Sequence, residues 1–403
     1  MFRIVMWLLL LPAAVSTAAL PAIQVVRSTR GIGFPSIDVV TGPMKFSVQL
    51  TDDGYLSRVW IDEDKDGRFN MFEIVSNPTL PPSLFLKYVH LDDPSSFSPG
   101  MWWIDGQEIP LWGHADSIWV TESPGLATVH SRGRFGYDNC WPYELELTAE
   151  DGSTAIRAKF RFQFRGDPGR DFITSLGVRT GFDYYDQGTF IMRRFAFGAE
   201  DRVRQTSVLE AGWSDVGSRG RRRTTARQPR PQGNQMRSRG YVSGLSFIDS
   251  ATIPIPEWNL ASMIQFSPSY YRIWKAIEGD VGNLPVHFGA QCRGWVDVSD
   301  TTRGMAIALK DMGESFPKAL SVDMGDWDPG ASVTLELWPN QVPPLDLRPL
   351  TGDDYQVTSP AVRERLDSSG IERTYEWLIY FHPGDYRKGD VEKVVDFFQQ
   401  AGQ

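Results

Sequence analysis

The chain has 403 residues, with 41 lysines and arginines against 50 aspartates and glutamates, a formal charge of −9. That balance argues against nucleic acid as the main partner. A 41% hydrophobic and 12% aromatic content describes a folded chain too long for one small core, so two domains are expected. Two cysteines, Cys140 and Cys292, are too few for a disulfide scaffold, though a single bridge between them stays open.

The chain opens on a targeting pattern: Arg3, an apolar run from Ile4 to Val15, and small residues around Ser16 to Ala19. Residues 1–19 therefore read as a signal peptide, and the mature protein as secreted or periplasmic. The run is too short to span a bilayer and no later stretch is apolar for long enough, so no membrane association is expected after cleavage.

From Val39 onward short alternating runs are punctuated by glycine, proline and aspartate. Phe46-Ser47-Val48-Gln49-Leu50 closes on an Asp52-Asp53-Gly54 turn, and Tyr55 to Ile61 alternates again. The next twelve residues, Asp62 to Glu73, read DEDKDGRFNMFE. Asp62, Asp64 and Asp66 stand at positions one, three and five of a calcium loop, with Gly67 at the sharp turn. Arg68 offers its carbonyl, Asn70 stands at nine and Glu73 closes at twelve. The other reading is a solvated acidic turn. Phe72 to Val75 runs into Asn77-Pro78 and Pro81-Pro82, so no long helix follows. The expectation is a strand-entered Ca2+ staple, not a sensor.

Trp102, Trp103, Trp112 and Trp119 cluster, either as core packing or as platforms on which sugar rings stack. Tyr143 to Leu147 and Ile156 to Phe164, joined at Asp151-Gly152, predict a hairpin with one buried face. Residues 217–240 carry eight arginines and no acid. They predict a surface insertion, or an arm for an acidic polysaccharide whose carboxylates accept paired hydrogen bonds from arginine. Strand-like runs return at Tyr270 to Ile277, Arg293 to Val298, Gly304 to Leu309 and Ser332 to Leu337. Val391 to Phe398 has helical spacing. The pattern is all-β, with boundaries near Thr121 to Gly125 and after Leu350.

No zinc spacing, nucleophile elbow, Walker loop or dinucleotide fingerprint is present. Fifty acids leave a two-carboxylate hydrolase open.

The stretch Gly289-Ala290-Gln291-Cys292-Arg293-Gly294-Trp295, then Arg303 to Asp311, Ser315 to Leu320, Leu335-Glu336-Leu337-Trp338-Pro339 and Pro344 to Arg348, forms an ordered set. In that order the blocks resemble the central β-sandwich of the exo-acting rhamnogalacturonan lyase family and its ulvan-lyase relatives. Thr41 to Phe46 and Val59 to Asp62 are similar to the small N-terminal RIFT-type barrel of those proteins. The resemblance implies a small RIFT-like β-barrel with the calcium loop (30–124), a large antiparallel β-sandwich (125–350) and a tail with a short helix (351–403). Members continue into a C-terminal (α/α) toroid where this sequence stops at Gln403, so the expectation is a fragment, a subunit that works with a separate helical toroid partner, or a non-catalytic relative.

The implied activity is β-elimination on an acidic, uronate-containing polysaccharide; the alternative is a non-catalytic secreted carbohydrate-binding or structural β-sandwich protein. Elimination needs a cation on the carboxylate, a base for the C5 proton and an acid for the C4 oxygen. The candidates are His287 as base, Arg293 on the carboxylate and Tyr271 as acid, with Arg179, Tyr184 and Lys275 binding substrate.

Overall fold

The computed structural model describes residues 23–28, 34–77, 83–96, 98, 101, 104–136, 141–164, 170–183, 193–200, 203–208, 246–247, 260–276, 284–323, 330–345, 366–367 and 370–401. The targeting segment, the basic segment 217–240, Trp102, Trp103, Cys140 and Tyr184 lie outside these residues; Lys275 is described only as part of a strand.

Five short strands form the first sheet: β1 (Gln24–Ser28), β2 (Ser36–Val40), β3 (Met44–Gln49), β4 (Leu56–Ile61) and β5 (Ile74–Ser76). They pair antiparallel in chain order, and β1 and β5 do not meet. Among the described residues the expected N-terminal barrel is therefore absent and this sheet is open. Ile37, Val39, Phe46, Val48 and Val59 supply one apolar face, and that face joins the same core as Trp141, Phe160 and Trp377 of the large unit. A small sheet with one apolar face gains by burying it on a larger neighbour, which removes the drive to curl upon itself.

The β3–β4 turn is the plug. The Asp53 carboxylate accepts from the Tyr55 and Leu84 amides, while the Tyr143 and Ser131 hydroxyls donate to the Asp53 and Gly54 carbonyls. Gly54 has φ +79°, and a Cβ there would lie 2.3 Å from Ser131 Oγ. Glycine satisfies both constraints.

The large unit has two layers that share one strand. β6 (Leu84–His90) pairs with the first part of β7 (Glu108–Ser123), and the rest of β7 pairs with β8 (Leu126–Phe135). One layer runs from β7 through β8, β9 (Trp141–Glu150), β10 (Ala155–Phe164), β23 (Gly370–Pro383), β19 (Arg303–Leu309), β18 (Trp295–Ser299), β12 (Arg193–Gly198) and β13 (Val203–Val208) to β14 (Ser246–Phe247). β22 (Leu366–Asp367) is a short partner of β23. The other layer runs from β7 through β6, β11 (Asp171–Asp183), β21 (Gly330–Trp338), β20 (Lys318–Asp323) and β15 (Leu260–Ser267) to β16 (Tyr270–Ala276) and β17 (Leu284–Gly289). No pairing joins β14 to β17 among the described residues, so this ladder is open as well.

Alternation explains the layers. Tyr143, Leu145 and Leu147 point into the core, while Glu144 meets Arg132 at 2.9 Å and Arg161 at 3.6 Å on the outside. The predicted 143–164 hairpin is present, with Gly152 at φ +72° in its turn. Helix α1 (Val391–Gln400) buries Val391, Val395 and Phe398 on the outer face of the first layer, against Trp295, Ala308 and Leu378. Among the described residues no helix is long and apolar enough to cross a membrane.

Candidate functional site

The outer face of the second layer holds the candidate site. Cross-strand partners share a face, and the register sets Trp274 beside Ser262, Ser262 beside Ser321, Ser321 beside Thr334 and Thr334 beside Arg179. This row floors a cleft of about 240 Å³, walled by Phe85, Lys87, Trp112, Asp323, Glu336 and Gln341. Gly177 lies opposite Glu336 at a bulge; a Cβ there would meet the Leu335 carbonyl at 2.6 Å and the Phe85 ring at 2.7 Å. A larger residue would close the floor.

Glu336 is 7% exposed. Burial pushes its carboxyl up to about 7, against the pull of the Ser321 hydroxyl and of the Lys87 and Arg179 charges. Such a carboxyl exchanges its proton near neutral pH, which suits a general acid or base. Among the described residues, five buried polar atoms on this face have no hydrogen-bond partner: Glu336 Oε2, Arg179 Nε, Gln341 Oε1, Trp274 Nε1 and Arg272 Nε. Buried polar atoms are nearly always paired, so a group of unpaired ones on one face marks a place for a polar ligand or water.

The sequence-predicted residues divide between the two faces. Arg179 lines the cleft. His287 and Tyr271 do come together, with His287 Nε2 2.9 Å from the Tyr271 hydroxyl, which also accepts from the Glu200 amide at 3.1 Å. They lie on the inner face: His287 pairs with Ile273, and Tyr271 is fully buried. An acid that no solvent reaches cannot serve a polysaccharide, so the pair reads as a packing contact between β16 and β17. Arg293 is taken up elsewhere. It meets Glu392 and, at 3.0 Å, Asp396 on α1, docking that helix. The three expected catalytic groups thus do not form one site. Lys275 occupies β16 opposite Ala261, an inner-face position by register.

Glu336, Lys87 and Trp274 were not singled out from sequence. Glu336 sits between Leu335 and Leu337 and looks like any outward residue of an alternating strand. The available signal was its place within one of the ordered resemblance blocks.

The acidic loop has a definite geometry. Ligand oxygens of Asp62, Asp64 and Asp66 lie within 4.8 Å of one another. Asp62 accepts from the Asp66 and Gly67 amides, Asp64 also accepts from Asp66, and Asp66 accepts from Arg68. These three fit a hard cation. Glu73 is turned away: its oxygens accept from the Glu63 and Asn70 amides, and Asn70 in return caps Phe72. A short 3-10 turn, Met71–Glu73, follows in place of a long helix. Arg303 of β19 clamps the loop to the sandwich, meeting Glu63 at 2.8 Å, the Ile74 carbonyl at 2.7 Å and the Phe72 carbonyl at 3.0 Å.

The PcRGLX-like protein central beta sandwich domain matches residues 114–377. The chain belongs to the PcRGLX-like protein family. The matched span holds β8 to β21 and most of β7 and β23, and with them most of the cleft. A search of curated proteins finds no match. Among solved structures, the chain is similar to an α-mannosidase from Enterococcus faecalis V583 (12% identity, TM-score 0.40, covering 95% of this chain and 32% of that one). It is also similar to a GH36 α-galactosidase from Geobacillus stearothermophilus (9%, 0.42, 91% and 42%) and to a galactose mutarotase-like protein from Clostridium acetobutylicum (8%, 0.38, 90% and 99%). These likenesses concern the chain trace alone. The chain spans less than half the length of the first solved structures it matches.

Proposed function

We propose that this PcRGLX-like protein is exported and acts on an acidic, uronate-containing polysaccharide by β-elimination, in the cleft on the outer face of β6, β11, β21, β20 and β15. The observation that carries this reading is the set Arg179, Lys87 and Glu336 in one cleft with Trp112 and Trp274. Arg179, or Lys87 beside it, takes the uronate carboxylate and so acidifies the C5 proton. Ionised Glu336 accepts that proton; the electron pair forms the C4–C5 double bond and the C4–O bond breaks. Glu336 then returns its proton to the departing oxygen, so one carboxyl serves both steps on one face of the sugar. Trp112 and Trp274 offer ring faces to the C–H edges of the pyranose.

A second reading, a glycan-binding protein without turnover, is favoured by one fact: Glu336 Oε2 is fully covered. Incubation with rhamnogalacturonan, ulvan and other uronans, followed at about 235 nm, where the unsaturated uronate absorbs, separates the two. The lyase reading requires an absorbance rise that Arg179→Ala removes. A flat trace on every uronan, with measurable binding, refutes it in favour of the second.

Asp62, Asp64 and Asp66 are proposed to hold a Ca2+ ion, with the Arg68 carbonyl and Asn70 completing the shell and Glu73 joining by rotation. Its contribution there is structural. When bound it cancels the mutual repulsion of the three carboxylates and fixes the loop that Glu63 and Arg303 tie to the sandwich. The toroid partner implied by the resemblance also remains a proposal, tested by co-purification with a helical subunit.

A further inference from the structure

The cleft does not end at Trp274. The same outer face continues over the last strands of the layer, where the register places Arg272 opposite Phe288, with Tyr270 two residues further along β16. Phe266 stacks on Tyr270 with ring centroids 5.6 Å apart, and the Arg272 guanidinium lies 5.4 Å above the Phe266 ring. Phe266 packs in turn on the cluster of Ile264, Trp274 and Ala319, so apolar surface is continuous from the cleft wall outward. Phe288 is 70% exposed and Tyr270 42% exposed, unusual for large aromatic groups on the surface of a folded protein. Arg272 Nε, at the middle of this strip, is one of the unpaired buried donors.

Resting on the cleft reading, we infer that this strip is a second binding region for the same glycan chain, so that the ligand is a uronate polymer and not a mono- or disaccharide. From Trp274 to Tyr270 the strand advances roughly 13 Å, room for more than one sugar ring beyond the cleft. The chemistry repeats that of the cleft: aromatic faces for the pyranose rings and an arginine for a further carboxylate. A neutral apolar partner is the poorer occupant, because it offers no counter-charge to the Arg272 guanidinium that lies over the Phe266 ring.

Isothermal titration of the full chain with mono-, tri- and hexauronates, in a galacturonate and a glucuronate series, tests the assignment. Hexamer affinity should exceed monomer affinity by about tenfold or more. Phe288→Ala and Tyr270→Ala should each remove about three- to tenfold of that gain and leave monomer affinity unchanged. Both side chains are exposed enough for the variants to fold. Equal affinity at all lengths, abolished by Arg179→Ala, overturns the strip and keeps the cleft. Failure of every length to bind overturns the cleft and the strip with it. A change in oligomeric state by light scattering, with glycan affinity intact, assigns the strip to a protein contact and overturns it too.

Discussion

Replacing Glu336 with glutamine gives the sharpest test of the cleft. The carboxyl titrates near 4.5 in an unfolded chain and at about 7 in the native protein, chiefly because it is buried. A raised carboxyl pKa means that the native state prefers the neutral form. Its share of stability is therefore complete below pH 4.5 and is lost as pH rises through 7. One pH unit of displacement is worth about 1.4 kcal/mol, so the ionised group costs the native state about 3 kcal/mol at alkaline pH. Asp53, fully buried and also pushed up to about 7, has the same sign. Lys318, pulled down to about 7 by burial, has the opposite one. Comparing Glu336→Gln with the unsubstituted protein cancels both. In urea unfolding followed by tryptophan fluorescence, the two proteins should agree closely at roughly pH 4, and the variant should be the more stable by about 3 kcal/mol at roughly pH 8.5. In the 235 nm assay, activity should rise through pH 7 as Glu336 ionises, and Glu336→Gln should lose turnover while keeping glycan affinity within a few-fold. A stability difference independent of pH refutes the placement of Glu336 as a buried, titrating group. Full turnover in the glutamine variant refutes its catalytic role.

Three further outcomes follow from named contacts. Arg303→Met removes a buried cation that binds Glu63 and two carbonyls; stability should fall by about 3–5 kcal/mol, with faster amide exchange across 62–76. Calcium at a hundred times its dissociation constant should stabilise the protein by about 2.7 kcal/mol, seen as a higher thermal midpoint than with chelator, and Asp64→Ala should abolish the difference; equal midpoints for the unsubstituted protein remove the calcium assignment. Arg293→Ala loses half-exposed ion pairs to α1; it should cost no more than about 1 kcal/mol and leave elimination rates unchanged, whereas a large rate loss would restore Arg293 to the site.

How far the sequence could be read depends on the range of each interaction. Runs expected as strands at 143–147, 156–164, 270–277, 304–309 and 332–337, the Asp151-Gly152 turn and the helix expected at 391–398 follow from local periodicity and overlap the observed elements, while the run expected at 293–298 is a strand only from Trp295. The barrel was inferred from likeness and failed on a long-range fact: the β2–β4 face finds Trp377 and Phe160, far away in sequence, and packs there. The acidic loop is short-range, so its three aspartates converge as spaced. Its closing glutamate does not, because Glu73 is 4% exposed and its carboxylate accepts from the Glu63 and Asn70 amides instead.

The site was harder for a related reason. In a strand the side-chain direction reverses at every residue, so chemistry that is adjacent in sequence is opposed in space. Tyr271 points into the core and Arg272 points out with Phe288. Tyr271, expected to act through its phenol, is thus on the covered side of the sheet, while its neighbour is on the face that carries the candidate cleft. Cross-strand register, which the sequence does not state, is what gathers Trp274, Ser262, Ser321, Thr334 and Arg179 from five strands into one row. A cleft built this way is recognisable only once β16, β15, β20, β21 and β11 are aligned, and its candidate acid only once the burial that raises it is known. For a β-sandwich, then, candidate residues are best chosen as pairs sharing a face across neighbouring strands. By that rule Arg179 and Glu336, two residues apart in register through Thr334, form the unit on which the chemistry of this protein should be tested first.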